Sequence, residues 1–324
     1  MTEGSTTDTA AGVAAPRERA AEYEAARSGA VVAARDDRVV LRVTGRDPVR
    51  MLQGLITNDL AGAPEGMAVY GAFLTPKGRM VAEARLLRRE GAVLVETAAA
   101  AESGLRQHLK KYVPPLFARV EEQSGLALLG VYGPRAATLV AGALADVDGV
   151  PLEPLELPED EGRELLLPAT SLETVRQRLL AAGARPVSSA TLDVLRIEAG
   201  RPRWGAELDE TTIPLEAGLQ ERAISTSKGC YTGQEVIIRI LHRGHVNRSL
   251  RGVLLGDVAA PAAGAVLTLP GQEKAVGAVT SACISPALGQ TIALAYVRRE
   301  VLSGASVRVG GVEGRVVEVP GWGR

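Results

Sequence analysis

Apolar residues along this chain switch between a period of two and a period near 3.6, and the switches mark out its elements. Val39, Leu41 and Val43 alternate with Arg42 and Thr44, which predicts a strand ending at Gly45. Asp47-Pro48 then opens a helix, with the carboxylate at the N-cap and proline in the first turn. Its inward face is Met51, Leu52, Leu55 and Ile56, and Thr57-Asn58-Asp59 stops it. From Met67 to Thr97 the period returns to two, broken at Pro76-Lys77-Gly78 and Glu90-Gly91, so a three-strand antiparallel meander is expected. A helix from about Ala100 to Tyr112 ends at Pro114-Pro115.

Short strands follow near Ala118 to Glu122 and Leu126 to Val131, and Gly133-Pro134 starts another helix. Asp146 to Gly162, with its prolines and acids, reads as a loop, and Glu164 to Leu167 as a strand. Thr170 and Glu173 have the spacing of a capping box before a helix running to Ala182; a further helix spans Ser189 to Ala199 and ends at Gly200. Strands and helices alternate without a regular strand-helix-strand rhythm, so an α+β fold is favoured over a doubly wound sheet. Beyond Ser249, short runs of Val, Leu and Ala punctuated by glycine cover Leu250 to Leu255, Ala265 to Leu269, Ala275 to Ile284, Thr291 to Val297 and Ala305 to Val319. That pattern predicts a small antiparallel barrel. The expected organisation is a disordered tail at 1–28, an α+β region at 29–248 and a barrel at 249–324.

Reactive chemistry concentrates between Ser225 and His245. Cys230 lies two residues after Lys228, and Thr232 with Glu235 forms a second capping-box signature before an amphipathic helix carrying Val236, Ile237, Ile240 and Leu241. An ammonium and a helix N-terminus both favour thiolate over thiol, which makes Cys230 a candidate reactive thiol beside the alternative of a small buried hydrophobe. Gly229 and Gly233 leave it little cover and favour the reactive reading. His242 and His245 with Cys230 are too scattered for a convincing metal site. Ser225, Thr226 and Ser227 lack a dedicated base and read as loop residues. Arg239, Arg243, Arg248 and Arg251 are a solvated face or a recognition surface for carboxylates or phosphates.

Composition narrows the classes. A net charge of -1 supplies no global field for nucleic acid or an anionic membrane, and few aromatics accompany the arginines, so direct RNA binding is disfavoured. Two cysteines, Cys230 and Cys283, make neither a disulfide scaffold nor a four-thiolate metal or cluster site, and a reducing compartment is the simpler expectation. The N-terminal stretch lacks the apolar run of a signal peptide, and nothing approaches the roughly 20 apolar residues of a membrane span. These features predict a cytoplasmic protein with no membrane association.

Lys228-Gly229-Cys230-Tyr231-Thr232-Gly233-Gln234-Glu235 matches the signature of the YgfZ family of folate-binding proteins, relatives of the glycine-cleavage aminomethyltransferase or T-protein. Support comes from Leu52-Gln53-Gly54-Leu55-Ile56-Thr57-Asn58-Asp59-Leu60, Leu74-Thr75-Pro76-Lys77-Gly78-Arg79, Arg196-Ile197-Glu198-Ala199-Gly200 and Ile213-Pro214-Leu215-Glu216-Ala217-Gly218-Leu219. The resemblance runs from about Val39 to the C-terminus. It implies a three-module cloverleaf, two ferredoxin-like α+β modules and a C-terminal antiparallel β-barrel, around a central channel that holds tetrahydrofolate or a one-carbon derivative. It also implies a role in the synthesis or repair of iron-sulfur proteins, including radical tRNA-modifying enzymes. By the same resemblance Cys230 and Lys228 are catalytic, and Glu164 is the carboxylate that accepts pterin N–H bonds. Asn58, Asp59, Arg79, Glu198 and Gln234, in the matched motifs, are expected cofactor contacts.

Two departures bear on mechanism. Where the aminomethyltransferases carry paired aspartates, Ala82-Glu83 stands here, and an arginine ahead of the helix end is Leu192. The loss of that aspartate argues against glycine cleavage. The favoured reading is a folate-binding accessory factor for iron-sulfur proteins, and the alternative is a folate-dependent one-carbon transferase or demethylase using Glu83 or Cys230.

Overall fold

The computed structural model describes residues 16–121, 125–319 and 322. In chain order they form α1 (Pro16–Ser28), β1 (Val31–Ala34), β2 (Arg38–Thr44), α2 (Pro48–Gln53), β3 (Ala68–Leu74), β4 (Met80–Arg89), β5 (Ala92–Ala98), α3 (Glu102–Tyr112), β6 (Arg119–Val120), β7 (Leu126–Tyr132) and α4 (Ala136–Ala143). Then come β8 (Val150–Leu152), β9 (Gly162–Pro168), α5 (Leu172–Ala181), β10 (Arg185–Pro186), α6 (Ser189–Glu198), α7 (Gln220–Ala223), α8 (Gln234–Arg243) and the strands β11 (Arg248–Gly256), β12 (Val266–Thr268), β13 (Ala275–Ser285), β14 (Gln290–Arg298), β15 (Ser306–Val309) and β16 (Val312–Val317).

These strands make three units. The first is a five-stranded sheet in the order β3-β4-β5-β2-β6, built on the expected meander. Asp47 caps α2 by accepting the amide of Arg50, and Leu52, Ile56, Leu105 and Leu109 seal one face of the sheet over Ala82, Ala84, Leu86, Val93 and Val95. The second sheet runs β10-β1-β7-β9-β8, with Leu139, Val140, Val175 and Leu179 of α4 and α5 packed on Val32, Leu129, Leu165 and Leu167. The third is a closed six-strand barrel, β11-β14-β13-β12-β15-β16. The fold is therefore α+β with a terminal barrel, as the patterning predicts.

Both faces of the first sheet are covered, which is why β5 is buried along its whole length. Val40, Leu87 and Leu94 on its far face meet Leu128, Leu152 and Leu166 of the second sheet. A further cluster joins the sheet end, α6, α8 and the barrel through Leu74, Met80, Ile197, Ile237, Ile292 and Leu294. Arg196, fully buried on α6, fastens that junction by donating to Glu207 at 2.7 Å and to Ser281 of β13 at 2.8 Å.

Several expectations change. The tail expected to be disordered to residue 28 contains α1, held by Tyr23 donating to Glu198 at 2.7 Å and by Glu22 accepting from the Ser188 and Thr191 hydroxyls; residues 1–15 of that expectation lie outside the described residues. Strand β1, unmarked in the sequence reading, sits between β7 and β10, so the chain begins in the second sheet, builds the first, and returns. The loop from 146 to 162 contains β8, an edge strand in which Pro151 is tolerated because no further strand needs its amide. Thr170 does not cap α5: a 3-10 turn at Ala169–Ser171 intervenes, and Glu173 pairs with Arg176 and Gln177. The predicted last strand folds into the hairpin β15–β16 at Gly310-Gly311, both with positive φ.

Gly133, at φ 114°, shows where backbone approach is limiting: a Cβ there would meet the carbonyls of Ala26 and Gly29 at 2.7 Å. Gly133→Ala is expected to cost about 2–3 kcal/mol. Gly142→Ala, on the open face of α4, should instead stabilise by about 0.5–1 kcal/mol. Urea unfolding of the two variants checks both signs.

Candidate active site and ligand cavities

The segment before α8 is set by glycine rather than by a capping side chain. Gly233 is the N-cap residue, in the left-handed region at φ 82°, and Thr232 makes no cap bond, so the expected Thr232–Glu235 box does not form. A Cβ at Gly233 would lie 2.6 Å from the Thr75 carbonyl, and one at Gly78 would lie 2.9 Å from Val236. The β3–β4 turn and the start of α8 thus touch backbone to backbone.

Lys228 is the anchor of this region. Its Nζ donates to the carbonyls of Gln53 and Ile56 at 2.7 Å and Asn58 at 2.9 Å, using all three hydrogens at the frayed end of α2. Burial pulls its pKa down to about 8 against the opposing charge of Asp59, yet three carbonyl acceptors call for the ammonium form. Ser225 N–H to the Thr57 carbonyl and Thr232 N–H to the Gly54 carbonyl complete the stitching. All three donors of Lys228 are thus committed to backbone carbonyls, and none is directed at Cys230. Cys230 itself is exposed, whereas Cys283 is buried in the barrel wall with its thiol pushed up to about 12, chiefly by burial.

Between the two sheets lies a chain of buried ion pairs. Glu96 accepts from Arg38 Nε and, at 2.7 Å, from Arg85 Nε. Arg38 Nη1 reaches Glu83 at 2.6 Å, and Glu83 also accepts the Tyr70 hydroxyl at 2.7 Å. Arg85 Nη2 stands 2.6 Å from Glu164 Oε2, while Glu164 Oε1 accepts from Arg35 at 2.5 Å and from the Tyr132 hydroxyl at 2.7 Å. Burial works to raise the Glu96 carboxyl, but Arg38 and Arg85 overcome it and hold it at about 2.

Members of this chain stand in the walls of two cavities. One, of about 630 Å³, is lined by Arg35, Arg38, Glu156, Leu192, Arg203 and Trp204 among small side chains from Ala98 to Ala100. Among the described residues Arg38 Nη2, buried, has no hydrogen-bond partner, and burial raises the Glu156 carboxyl despite Arg35. The other, of about 770 Å³, is lined by Asn58, Asp59, Tyr70, Arg85, Glu153 and Arg222.

The expected cofactor residues do not converge on one place. Asn58 and Asp59 share the larger cavity, but Asn58 is bonded to the carbonyls of Tyr70 and Arg222, and Asp59 is held low by the Gly62 amide and Gln53. Glu164 is 1% exposed and spends its oxygens on arginine and tyrosine, so it offers no free acceptor to a ligand. Arg79 faces a third pocket at the barrel. Glu198 accepts from Tyr23, Arg27 and Ser285 and ties α1 to the barrel. Gln234 is the first residue of α8. Sequence reasoning missed Trp204, Arg38 and Glu156; one of two tryptophans, just after the Arg196–Gly200 motif, was the available signal.

Residues 14–152 match the GCVT N-terminal domain, and residues 248–320 match the glycine cleavage T-protein C-terminal barrel domain. An aminomethyltransferase of Rubrobacter xylanophilus is 32% identical over 320 residues, covering 93% of this chain and 85% of that protein. The chain belongs to the aminomethyltransferase family. A putative chloroplastic transferase of Arabidopsis thaliana is 30% identical, over 86% of this chain and 68% of its own. The glycine cleavage aminomethyltransferase of Bartonella henselae has the same fold, with a TM-score of 0.83 and 22% identity over 94% of this chain and 90% of that one. The family uses tetrahydrofolate. Among the described residues, no helix is long and apolar enough to cross a membrane.

Glu83 is the residue that the resemblance sets where the aminomethyltransferases carry an aspartate. Both oxygens of Glu83 are engaged, by Arg38 and Tyr70, and the residue is 2% exposed, so it is not presented to a substrate as a free base.

Two outcomes test the assignments of anchor and network. Lys228→Met should cost about 3 kcal/mol, from carbonyls left without their charged donor, while Cys230→Ala should stay within about 0.5 kcal/mol; denaturant midpoints compare them. The folded pKa of Glu96, about 2, lies below its ordinary 4.5, so its stabilisation is complete above pH 4.5 and is lost as pH falls toward 2. In Glu96→Gln the dependence of stability on pH across that window should flatten, from a lower starting stability.

Proposed function

We propose that this chain binds tetrahydrofolate in the cavity beside Trp204 and handles a one-carbon unit there, the chemistry of its family. The observation that carries this reading is a convergence. Glu164, the expected pterin contact, and Glu83 and Leu192, which stand where the aminomethyltransferases carry an aspartate and an arginine, reach the 630 Å³ cavity directly or through Arg38 and Arg35. The residues fit such a ligand. The volume suits a drug-sized molecule, Trp204 offers an aromatic face for a heterocycle, and Arg38 Nη2 is a buried donor without an acceptor. Glu156, its carboxyl raised by burial, retains a proton more readily than an exposed acid and serves as donor or acceptor at a ring edge. When bound, tetrahydrofolate supplies the nitrogens that carry the one-carbon unit. Arg35 and Arg38, fixed by their carboxylates, orient it beside the small side chains of Ala98 to Ala100.

A one-carbon transferase is the first form of this proposal, supported by the aminomethyltransferase relatives. A specific observation favours a second form, the accessory factor for iron-sulfur proteins implied by the YgfZ signature. Glu83 is sequestered, whereas Cys230 stands exposed on the signature segment. In this form the chain works in the cytoplasm, and Cys230 meets clients such as radical tRNA-modifying enzymes.

Anaerobic calorimetry with tetrahydrofolate should give one-to-one binding that weakens about tenfold in Trp204→Ala, the loss of one stacking platform. Absence of binding sinks the cofactor assignment. Turnover of an aminomethyl donor by the purified protein selects the transferase. No turnover, together with loss of cluster-enzyme rescue in cells carrying Cys230→Ala, selects the accessory factor.

A further inference from the structure

Away from both cavities beside the ion-pair chain, Arg79, Arg248, Arg298 and Arg299 surround a pocket of about 610 Å³ between the β3–β4 turn and the barrel. Its charges are arranged against their own interest. Arg248 and Arg298 are direct partners across β11 and β14, a placement that destabilises a sheet when the charges are alike. Arg248 is fixed there all the same, by Nε donating to Glu216 at 3.0 Å and by its guanidinium lying 4.3 Å from the centre of the Tyr296 ring. Among the described residues the carboxylate paired with Arg298 is Glu300, at 3.9 Å, beyond hydrogen-bond reach. Arg79, from a different module, and Arg299 have no carboxylate partner among the described residues. Four guanidiniums face two carboxylates, Glu216 and Glu300, leaving a surplus of two positive charges.

Convergent guanidiniums from two modules, one of them pre-oriented by a carboxylate and an aromatic ring, are donors of the forked geometry that matches oxyanions. We infer that this pocket binds a doubly charged oxyanion, a phosphate ester or a pair of carboxylates on a small molecule. The ligand relieves the Arg248–Arg298 opposition by placing negative charge between the two guanidiniums and bringing Arg79 and Arg299 onto it. This inference stands apart from the folate cavity and from the fate of Cys230.

Calorimetric titration of the full chain with pyrophosphate and, separately, with succinate tests it, with ionic strength held constant by sodium chloride. The comparison protein is the double variant Arg79→Gln/Arg299→Gln, whose replaced side chains hold no ion pair, so its unliganded Tm should match that of the parent. Saturable binding is expected, with a rise in Tm on ligand addition, and about tenfold or greater weakening in the variant. Preference for pyrophosphate identifies a phosphate ester, and preference for succinate identifies paired carboxylates. Failure of both probes to bind saturably, or binding undiminished in a variant that folds normally, overturns the inference.

Discussion

Glu164 of the second sheet, with Arg85 of the first on one oxygen and Arg35 on the other, holds the two sheets in one relation, and Glu96 braces Arg85 and Arg38 within the first. Strands β2, β4, β5 and β9 and the residue after β1 all contribute to the chain of ion pairs that extends from it. Taking these groups out of water is expensive, and buried pairs seldom repay the cost against a well-packed apolar substitute. What they do impose is position. The leucine contacts alongside, such as Leu94 against Leu166, tolerate a slip of an ångström. A carboxylate bridging two guanidiniums does not, because every oxygen and nitrogen moved out of line leaves a charge unsatisfied in the interior. The same fixed arginines form a wall of the cavity beside Trp204, so one network sets both the docking of the modules and the shape of a binding site.

The structure was legible in the sequence wherever a local signal was also the deciding one. The Asp47-Pro48 start of α2, the meander from Met67 to Thr97 and the alternating strands of the barrel rest on capping and periodicity, and they fold as those predict. It was illegible where distant partners decide. Helix α1 has a weakly amphipathic sequence and is fixed by Glu198 and Ser188, some 170 positions away. The Thr232–Glu235 spacing looked like a cap, but the carbonyl of Thr75 leaves room only for glycine at 233, and the chain turns through it. The site divided in the same way. Cys230 and Lys228 were marked by a dense motif. Arg38, Glu96 and Arg85 were ordinary charges in strands, and their one visible sign was a charge embedded in the fully buried run Val93-Leu94-Val95-Glu96. No pattern within a single sequence says which arginine such a glutamate meets.

Family membership and local geometry pull toward different details of mechanism. The aminomethyltransferase fold is retained across all three units, yet the carboxylate at position 83 is turned into the protein and the exposed thiol lies on another segment. One fold hosts distinct chemistries through the side chains placed on it.

The hold of Lys228 on residues 53 to 58 also governs when the thiol comes into being as a presented group. Its three acceptors lie 170 to 175 positions earlier in the chain. The loop bearing Cys230 therefore cannot settle until the first sheet stands and a polypeptide more than half the protein's length has returned to it, a closure of high contact order. During synthesis, every truncated product ending before residue 228 lacks the clasp. Display of Cys230 in its final setting thus reports that the chain has been made through the clasp and that its first sheet is assembled, and a half-finished chain has no means of offering it.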